Sequence, residues 1–256
     1  MRRLRQSLRL VRFCAALGSG VLLAGLVSVV ESLARRELQA MRQRLSQRFM
    51  GWFAAALPFR LEVSGKLPEQ PMLWVANHVS WTDIPMLGQL APLSFLAKAE
   101  VRQWPLAGWL AQCAGTLFIR RGAGDGLLLA RRIAGRLGDG CPLLVFPEGT
   151  SSDGRQVLPF HGRLLAGAIE MGVPLQPVAL RYLRDGLMDP LAPFIGDDEL
   201  PAHLLRLFAA DRAVLQIRLL EPIASVGCQR SALARQARTA IEAALGEESI
   251  TDRQAA

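Results

Sequence analysis

The feature that most constrains this chain is a run of 18 residues without a charge, Phe13 to Val30 (FCAALGSGVLLAGLVSVV), bracketed by arginine. As a helix it would be ~27 Å long, close to the ~30 Å hydrocarbon thickness of a bilayer. Arg2, Arg3, Arg5, Arg9 and Arg12 precede it, and Arg35, Arg36, Arg42, Arg44 and Arg48 follow it. Basic residues flanking an apolar run read as contacts with an anionic membrane surface. A cleaved signal peptide has the same basic start and apolar centre, but no small-x-small site with a polar start follows here. Instead comes an arginine-rich helical stretch, Glu31 to Arg48, and then a second apolar stretch, Phe49 to Phe59 (FMGWFAAALPF). The latter is too short to span, Gly51 and Pro58 punctuate it, and Trp52 suits an interface. With arginine on both sides, the positive-inside rule assigns no orientation. A single span would leave one arginine cluster on the far side of the membrane. Two helices that dip into one leaflet and return keep both clusters on the cytoplasmic surface. We expect this membrane helical hairpin over residues 1–58.

The remaining residues, 59–256, are enough for one domain. The whole chain is 51% hydrophobic and 20% charged, which excludes intrinsic disorder. Its net charge is +8, and 28 of its 30 basic residues are arginine. Such a balance suits nucleic acid, an anionic membrane or an anionic substrate. No zinc-finger spacing or RNP-like aromatic pattern accompanies it, so no nucleic-acid partner is expected. The four cysteines, Cys14, Cys113, Cys141 and Cys228, form no C-x-x-C pair. They read as free thiols of a reducing compartment.

From about Arg60 short β-rich runs alternate with helical stretches. Strands are expected at Phe59–Val63, Leu73–Ala76, Ser94–Ala97, Thr116–Ile119, Leu143–Phe146, Leu175–Arg181 and Val214–Leu219. Helices are expected at Ile84–Leu90, Val101–Cys113, Gly126–Leu137, Arg163–Met171, Leu200–Ala209 and Ser231–Leu245, with a frayed polar tail beyond. This alternation argues for an α/β fold with a mixed, largely parallel sheet flanked by helices. Runs such as LLVF, apolar at every position, suit central parallel strands. Ligands of such sheets bind beyond the strand C-termini.

Four segments there could carry chemistry. In NHVSWTD, His78 follows a strand and Asp83 stands five residues on. A His with a carboxylate is the minimal general-base unit, because the carboxylate fixes the tautomer and stabilises the imidazolium. Thr82 is a candidate N-cap, with Asp83 and Pro85 in the first helical turn; capping alone would also explain Asp83. In GTLFIRR, Arg120 and Arg121 end a strand, where two guanidiniums suit a clamp on phosphate or carboxylate, or a solvated edge. In FPEGTSSDG, Glu148, Gly149 and Thr150 leave a buried strand, and Gly149 frees the backbone to approach a ligand. An ordinary turn has the same composition. In VPLQPVALRY, Pro174 and Pro177 argue against an ordinary central strand; they line a pocket wall or mark an edge.

These four segments, in this order, resemble the glycerolipid acyltransferase family. His78 and Asp83 match its His-four-residues-Asp block; Gly115, Phe118, Ile119 and Arg121 match its second. Residues Phe146 to Thr150 match its FPEGT block in full, and Pro174 and Pro177 its fourth. The resemblance spans about Leu73 to Tyr182. It implies an O-acyltransferase in which His78, oriented by Asp83, deprotonates a lysolipid hydroxyl that attacks the thioester of acyl carrier protein or acyl-CoA. Arg121 with Arg120 would hold an anionic head group, and Glu148, Gly149 and Thr150 would shape the acceptor site. It implies no metal and no bound cofactor. The acceptor it implies first is 1-acyl-sn-glycerol-3-phosphate, giving phosphatidic acid. However, LPFHGRLL and SSDGR depart from the phosphatidate-forming pattern and, with NHVSWTDIP, look like the subgroup that acylates lyso-ornithine lipid. His161 is there a second polar site residue or a surface loop histidine; His203, in a helix beside DDEL, reads as a surface or core-packing residue. A non-catalytic lipid-binding protein is the remaining alternative. The resemblance further implies a bacterial inner-membrane protein with its α/β domain on the cytoplasmic face.

Overall fold

The computed structural model describes residues 2–35, 38–119 and 126–254. Helix α1 (Arg2–Ala34) and helix α2 (Gln39–Ala56) form a hairpin at the N-terminus. The sheet contains β1 (Phe59–Ser64), β2 (Leu73–Ala76), β3 (Ser94–Lys98), β4 (Leu117–Ile119), β5 (Leu143–Val145), β6 (Leu175–Arg184), β7 (Leu187–Met188) and β8 (Ala213–Leu219). Between them run α3 (Asp83–Gly88), α4 (Ala107–Cys113), α5 (Gly126–Gly138), α6 (Ala166–Met171) and α7 (Leu200–Ala209), and α8 (Arg230–Gln254) follows. The strand order is β1-β8-β6-β2-β5-β3-β4, with β7 paired to β6. All neighbours are parallel except β6 with β8 and with β7. The expected mixed, largely parallel sheet is therefore present. Helix α8 starts one residue earlier than expected and continues to Gln254, past the expected end at Leu245.

The alternation of strand side chains divides the core in two. Trp74, Ala76, Leu144, Leu180 and Tyr182 face one layer with Met86, Leu87, Phe208 and residues Ala54 and Leu57 of the hairpin end. Leu73, Val75, Leu143 and Val145 face the other, with Ile133, Leu137, Leu165, Leu233 and Ala237. Helices α1, α2, α3 and α7 thus cover one face, and α5, α6 and α8 the opposite one.

Proline did not exclude β6 from the centre. It lies between β2 and β8, with Pro177 opposite Val75, contrary to the expected edge or pocket wall. The reason is local. Pro177 accepts a bond from the Leu220 amide but has no N–H to return. The Gln176 side chain supplies that donor, its Nε2 lying 2.6 Å from the Leu220 carbonyl.

The hairpin is tied into the domain. Gly20 lets α1 approach α2, since a Cβ there would sit 2.4 Å from the Phe49 ring. Phe53 of α2 lies 4.9 Å from Phe13 and 6.3 Å from Trp81, centroid to centroid. Glu31 accepts from the Leu38 amide and pairs with Arg42, closing the turn between the helices. Arg5 and Arg9 do not lie free for lipid, as the sequence suggested. They donate to the Phe208, Ala209 and Ala210 carbonyls at the end of α7, where a helix leaves carbonyls unsatisfied and favours positive charge. On its outer side α1 exposes Leu4, Leu8, Val11, Leu22, Leu26, Val29 and Leu33, one helical stripe. Residues Arg3–Ala34 are long and apolar enough to cross a membrane by length and composition.

Candidate active site

The site forms where β2, β5 and β6 end side by side. Strand β2 closes at Ala76, and the buried Asn77 side chain then acts as one more rung of the ladder. Its amide donates to the Leu180 carbonyl at 3.0 Å and its Oδ1 accepts from the Leu180 amide at 2.8 Å. This lets the main chain leave the sheet at His78 without orphaning the β6 backbone.

His78 Nδ1 lies 2.8 Å from Asp83 Oδ2. The same oxygen accepts from the amides of Val79, at 2.8 Å, and Ser80, at 3.0 Å. Asp83 Oδ1 accepts from the Tyr182 hydroxyl at 2.6 Å. The carboxyl group is fully buried. Every protein partner that can be assigned is a donor, which suits an ionised carboxylate, and it assigns the Nδ1 proton to His78. The other nitrogen, Nε2, is then a lone pair free to take a proton. The imidazole stacks on Phe146, with centroids 3.9 Å apart and planes 18° from parallel, so its rotation is restricted.

Thr82 does not cap α3 through its side chain, as the sequence suggested. Its hydroxyl lies 2.7 Å from that of Tyr182. Since the phenol donates to Asp83, Thr82 donates to the phenol. Tyr182 is fully buried, and burial together with the Asp83 charge holds its proton affinity well above that of an ordinary phenol.

The loop after β5 grips His78 from the other side. Glu148 Oε1 accepts from the His78 amide at 3.2 Å, and the Ser152 amide donates to the His78 carbonyl at 2.8 Å. Glu148 is buried, and its Oε2 has no hydrogen-bond partner among the described residues. Its pKa is pushed up to about 8, first by burial and then by the Asp83 charge; the His78 and Leu158 amides and Arg238 oppose this. Gly149 has φ +75°, a conformation that only glycine adopts freely, and it turns the chain directly after Glu148. Thr150 stands exposed at the turn.

The sequence-expected residues thus divide. His78, Asp83, Glu148 and Gly149 come together, with Thr150 at the rim. Arg120 and Arg121 lie outside the described residues; β4, which leads to them, is the last strand on the β3 side of the sheet. His161 is exposed in a loop. His203 is buried, accepts from the Trp81 indole at 3.0 Å and approaches the Pro193 carbonyl, and burial lowers its pKa. It is a packing residue. Tyr182, Phe146 and Asn77 were given no role from sequence. Tyr182 is the one tyrosine of the chain, at the end of a motif already singled out, and this is the signal that could have found it. Among the described residues no His, Cys, Asp and Glu cluster could hold a metal.

A family profile, Acyltransferase, matches residues 60–181. The chain is 56% identical to a lyso-ornithine lipid O-acyltransferase of Pseudomonas aeruginosa over 245 residues, 96% of this chain and 95% of that one. It is 36% identical to a lyso-ornithine lipid O-acyltransferase of Brucella abortus, over 80% of this chain and 82% of the relative. It is also 36% identical to a 1-acyl-sn-glycerol-3-phosphate acyltransferase of Neisseria gonorrhoeae, over 64% of this chain and 65% of the relative. In fold it is similar to the crystal structure of the 1-acyl-sn-glycerophosphate acyltransferase of Thermotoga maritima, with TM-score 0.72, 23% identity and coverage of 97% and 98%.

Proposed function

The chain belongs to the acyltransferase family and is a lysolipid O-acyltransferase, and from that premise we propose that its acceptor is lyso-ornithine lipid and that His78 is its general base. The observation that carries the choice of acceptor is the 56% identity, over nearly the full length of both chains, to a lyso-ornithine lipid O-acyltransferase. The departures after FPEGT, SSDGR and His161, point the same way. Acylation of 1-acyl-sn-glycerol-3-phosphate is the second reading, favoured by the Neisseria relative; the Arg120–Arg121 pair suits a phosphate as well as the ornithine carboxylate and does not choose between them.

In the proposed reaction His78 Nε2 takes the proton of the lysolipid hydroxyl as the oxygen attacks the thioester carbonyl carbon. The C–O bond forms, the tetrahedral intermediate collapses with loss of the C–S bond, and His78 returns the proton to the departing thiolate. Direct attack needs no acyl-enzyme. Asp83 holds the Nδ1 proton in place and stabilises the imidazolium as it forms; its hydrogen bond at 2.8 Å supports this. Glu148 and Gly149 shape the acceptor end beside His78, with Thr150 at the rim, and backbone amides of that turn are candidate donors to the oxyanion. The donor is an acyl thioester of carrier protein or CoA.

We further propose a monotopic hairpin, residues 1–58, on the cytoplasmic face, beside an α/β domain of residues 59–256. What supports it is that α1 packs on α7 near its start and on α4 as well, and so lies along the domain rather than leading away from it. Its exposed apolar stripe would rest in one leaflet.

The test is acyl transfer from a labelled donor, by the purified full chain in vesicles, to each lysolipid separately. We expect lyso-ornithine lipid to be acylated with the higher kcat/KM. A preference for 1-acyl-sn-glycerol-3-phosphate would establish the second reading, and activity on neither would overturn both.

A further inference from the structure

The opposite face of the sheet from the hairpin carries a feature that acyl transfer at His78 leaves unexplained. A groove of about 430 Å³ runs between the loop after Glu148 and the start of α8. Arg163, Arg230, Arg235 and Arg238 line it, with Phe160 and Ser231. On α8, positions 230, 231, 234, 235 and 238 share one face over ~12 Å, so the guanidiniums form a row rather than a convergent clamp. Arg163, Arg230 and Arg235 are exposed, and among the described residues none of the three has an acidic partner. Arg238 pairs with Glu242 and donates to the Val157 carbonyl. Arg230 opens α8, where the macrodipole favours acid, and the first turn has no acidic residue. Folding alone does not favour this arrangement. A second depression shares Arg230 and Ser231 and prolongs the groove towards Glu170 and Cys228.

The groove adjoins the active site. Phe160 precedes His161, whose amide bonds the Pro147 carbonyl next to Glu148, and Glu148 in turn holds the His78 amide. We propose that this arginine row docks the acidic helical face of the carrier protein that brings the acyl thioester, a partner that rests on the acyltransferase reading above. A row of positive charges at successive turns matches carboxylates repeating along a partner helix. It does not suit the compact phosphates of a nucleotide, which call for convergent donors. A lipid surface is disfavoured because the groove and the exposed apolar stripe of α1 belong to helical layers on opposite faces of the sheet.

The test compares the full-length triple variant R163E/R230E/R235E with its charge-preserving counterpart R163K/R230K/R235K. Carrier-protein binding is read by fluorescence anisotropy without acceptor lipid. Transfer is then measured with the acyl group on carrier protein and on free pantetheine. In the glutamate variant, binding and kcat/KM for the carrier-borne donor should fall about tenfold or more, and high salt should weaken the wild type in the same direction. Transfer from acyl-pantetheine should stay within about twofold of wild type, and the lysine variant should retain carrier binding. Equal loss with both donors, loss confined to acyl-pantetheine, or no loss overturns the proposal. Absence of transfer to every lysolipid by the wild type would break the acyltransferase reading, while the anisotropy measurement would still decide carrier docking.

Discussion

Two buried carboxyl groups flank His78, and they are treated in opposite ways. Asp83 is met by two backbone amides, a phenol and the imidazole, each within 3.0 Å. Glu148 is met on one oxygen only, and its pKa is pushed up to about 8. One group is surrounded as a fixed charge, the other is left where a proton is easily held. The difference lies in the local chain. Asp83 opens α3, where the turn from Val79 to Ser80 aims amides at it. Glu148 leaves a strand into a glycine turn that offers fewer.

The largest effect should come from the well-bonded side. Asp83→Asn cannot orient the imidazole as the carboxylate does, and we expect kcat to fall ~10²–10⁴-fold. His78→Ala should fall by at least ~10²-fold, and the double variant should be little worse than the more impaired single, because the two act as a unit. Additive losses in steady-state kinetics would show that Asp83 does something apart from His78.

Tyr182→Phe should cost less. It removes one donor from a buried carboxylate, for ~1–3 kcal/mol of stability and about a tenfold fall in kcat. Denaturant melts and kinetics together check this; an unchanged melt would show that the phenol bond adds nothing to Asp83.

Glu148→Gln should have the smallest effect at neutral pH, where the carboxyl is still mostly protonated, and a growing one above it. A raised folded pKa means that this group's stabilising contribution is full below its unfolded pKa of ~4.5. It is lost as pH rises towards about 8. Wild-type Tm should therefore decline relative to Glu148→Gln between those values. Parallel Tm curves would show that Glu148 is ionised throughout and that the contrast with Asp83 is not real.

Much of this arrangement is legible in the sequence. The β2 strand was bounded at Leu73 and Ala76 as observed, because four apolar residues in a row admit little else. The resemblance to a known family, carried by four short motifs, also pointed to the residues around His78. What stayed hidden depends on pairings between distant segments. Pro177 read as an edge residue because a missing N–H is local, while its replacement by Gln176 depends on where Leu220 lies. Thr82 read as a cap because its partner, Tyr182, is 100 residues away. Phe146 looked like the end of a strand, and its stacking on His78 needs β2 and β5 side by side.

The bonds from Arg5 and Arg9 to the end of α7 have a consequence for synthesis. Their acceptors lie about 200 residues downstream. At ~5–20 residues per second, α1 leaves the ribosome tens of seconds before those carbonyls exist. Throughout that interval Phe13 has no Phe208 of α7 to rest on, while Gly20 can already meet Phe49 of α2. The nascent hairpin must wait with the α7 side of Phe13 and the outer apolar stripe uncovered, and whatever shelters them during those seconds takes part in assembling the enzyme.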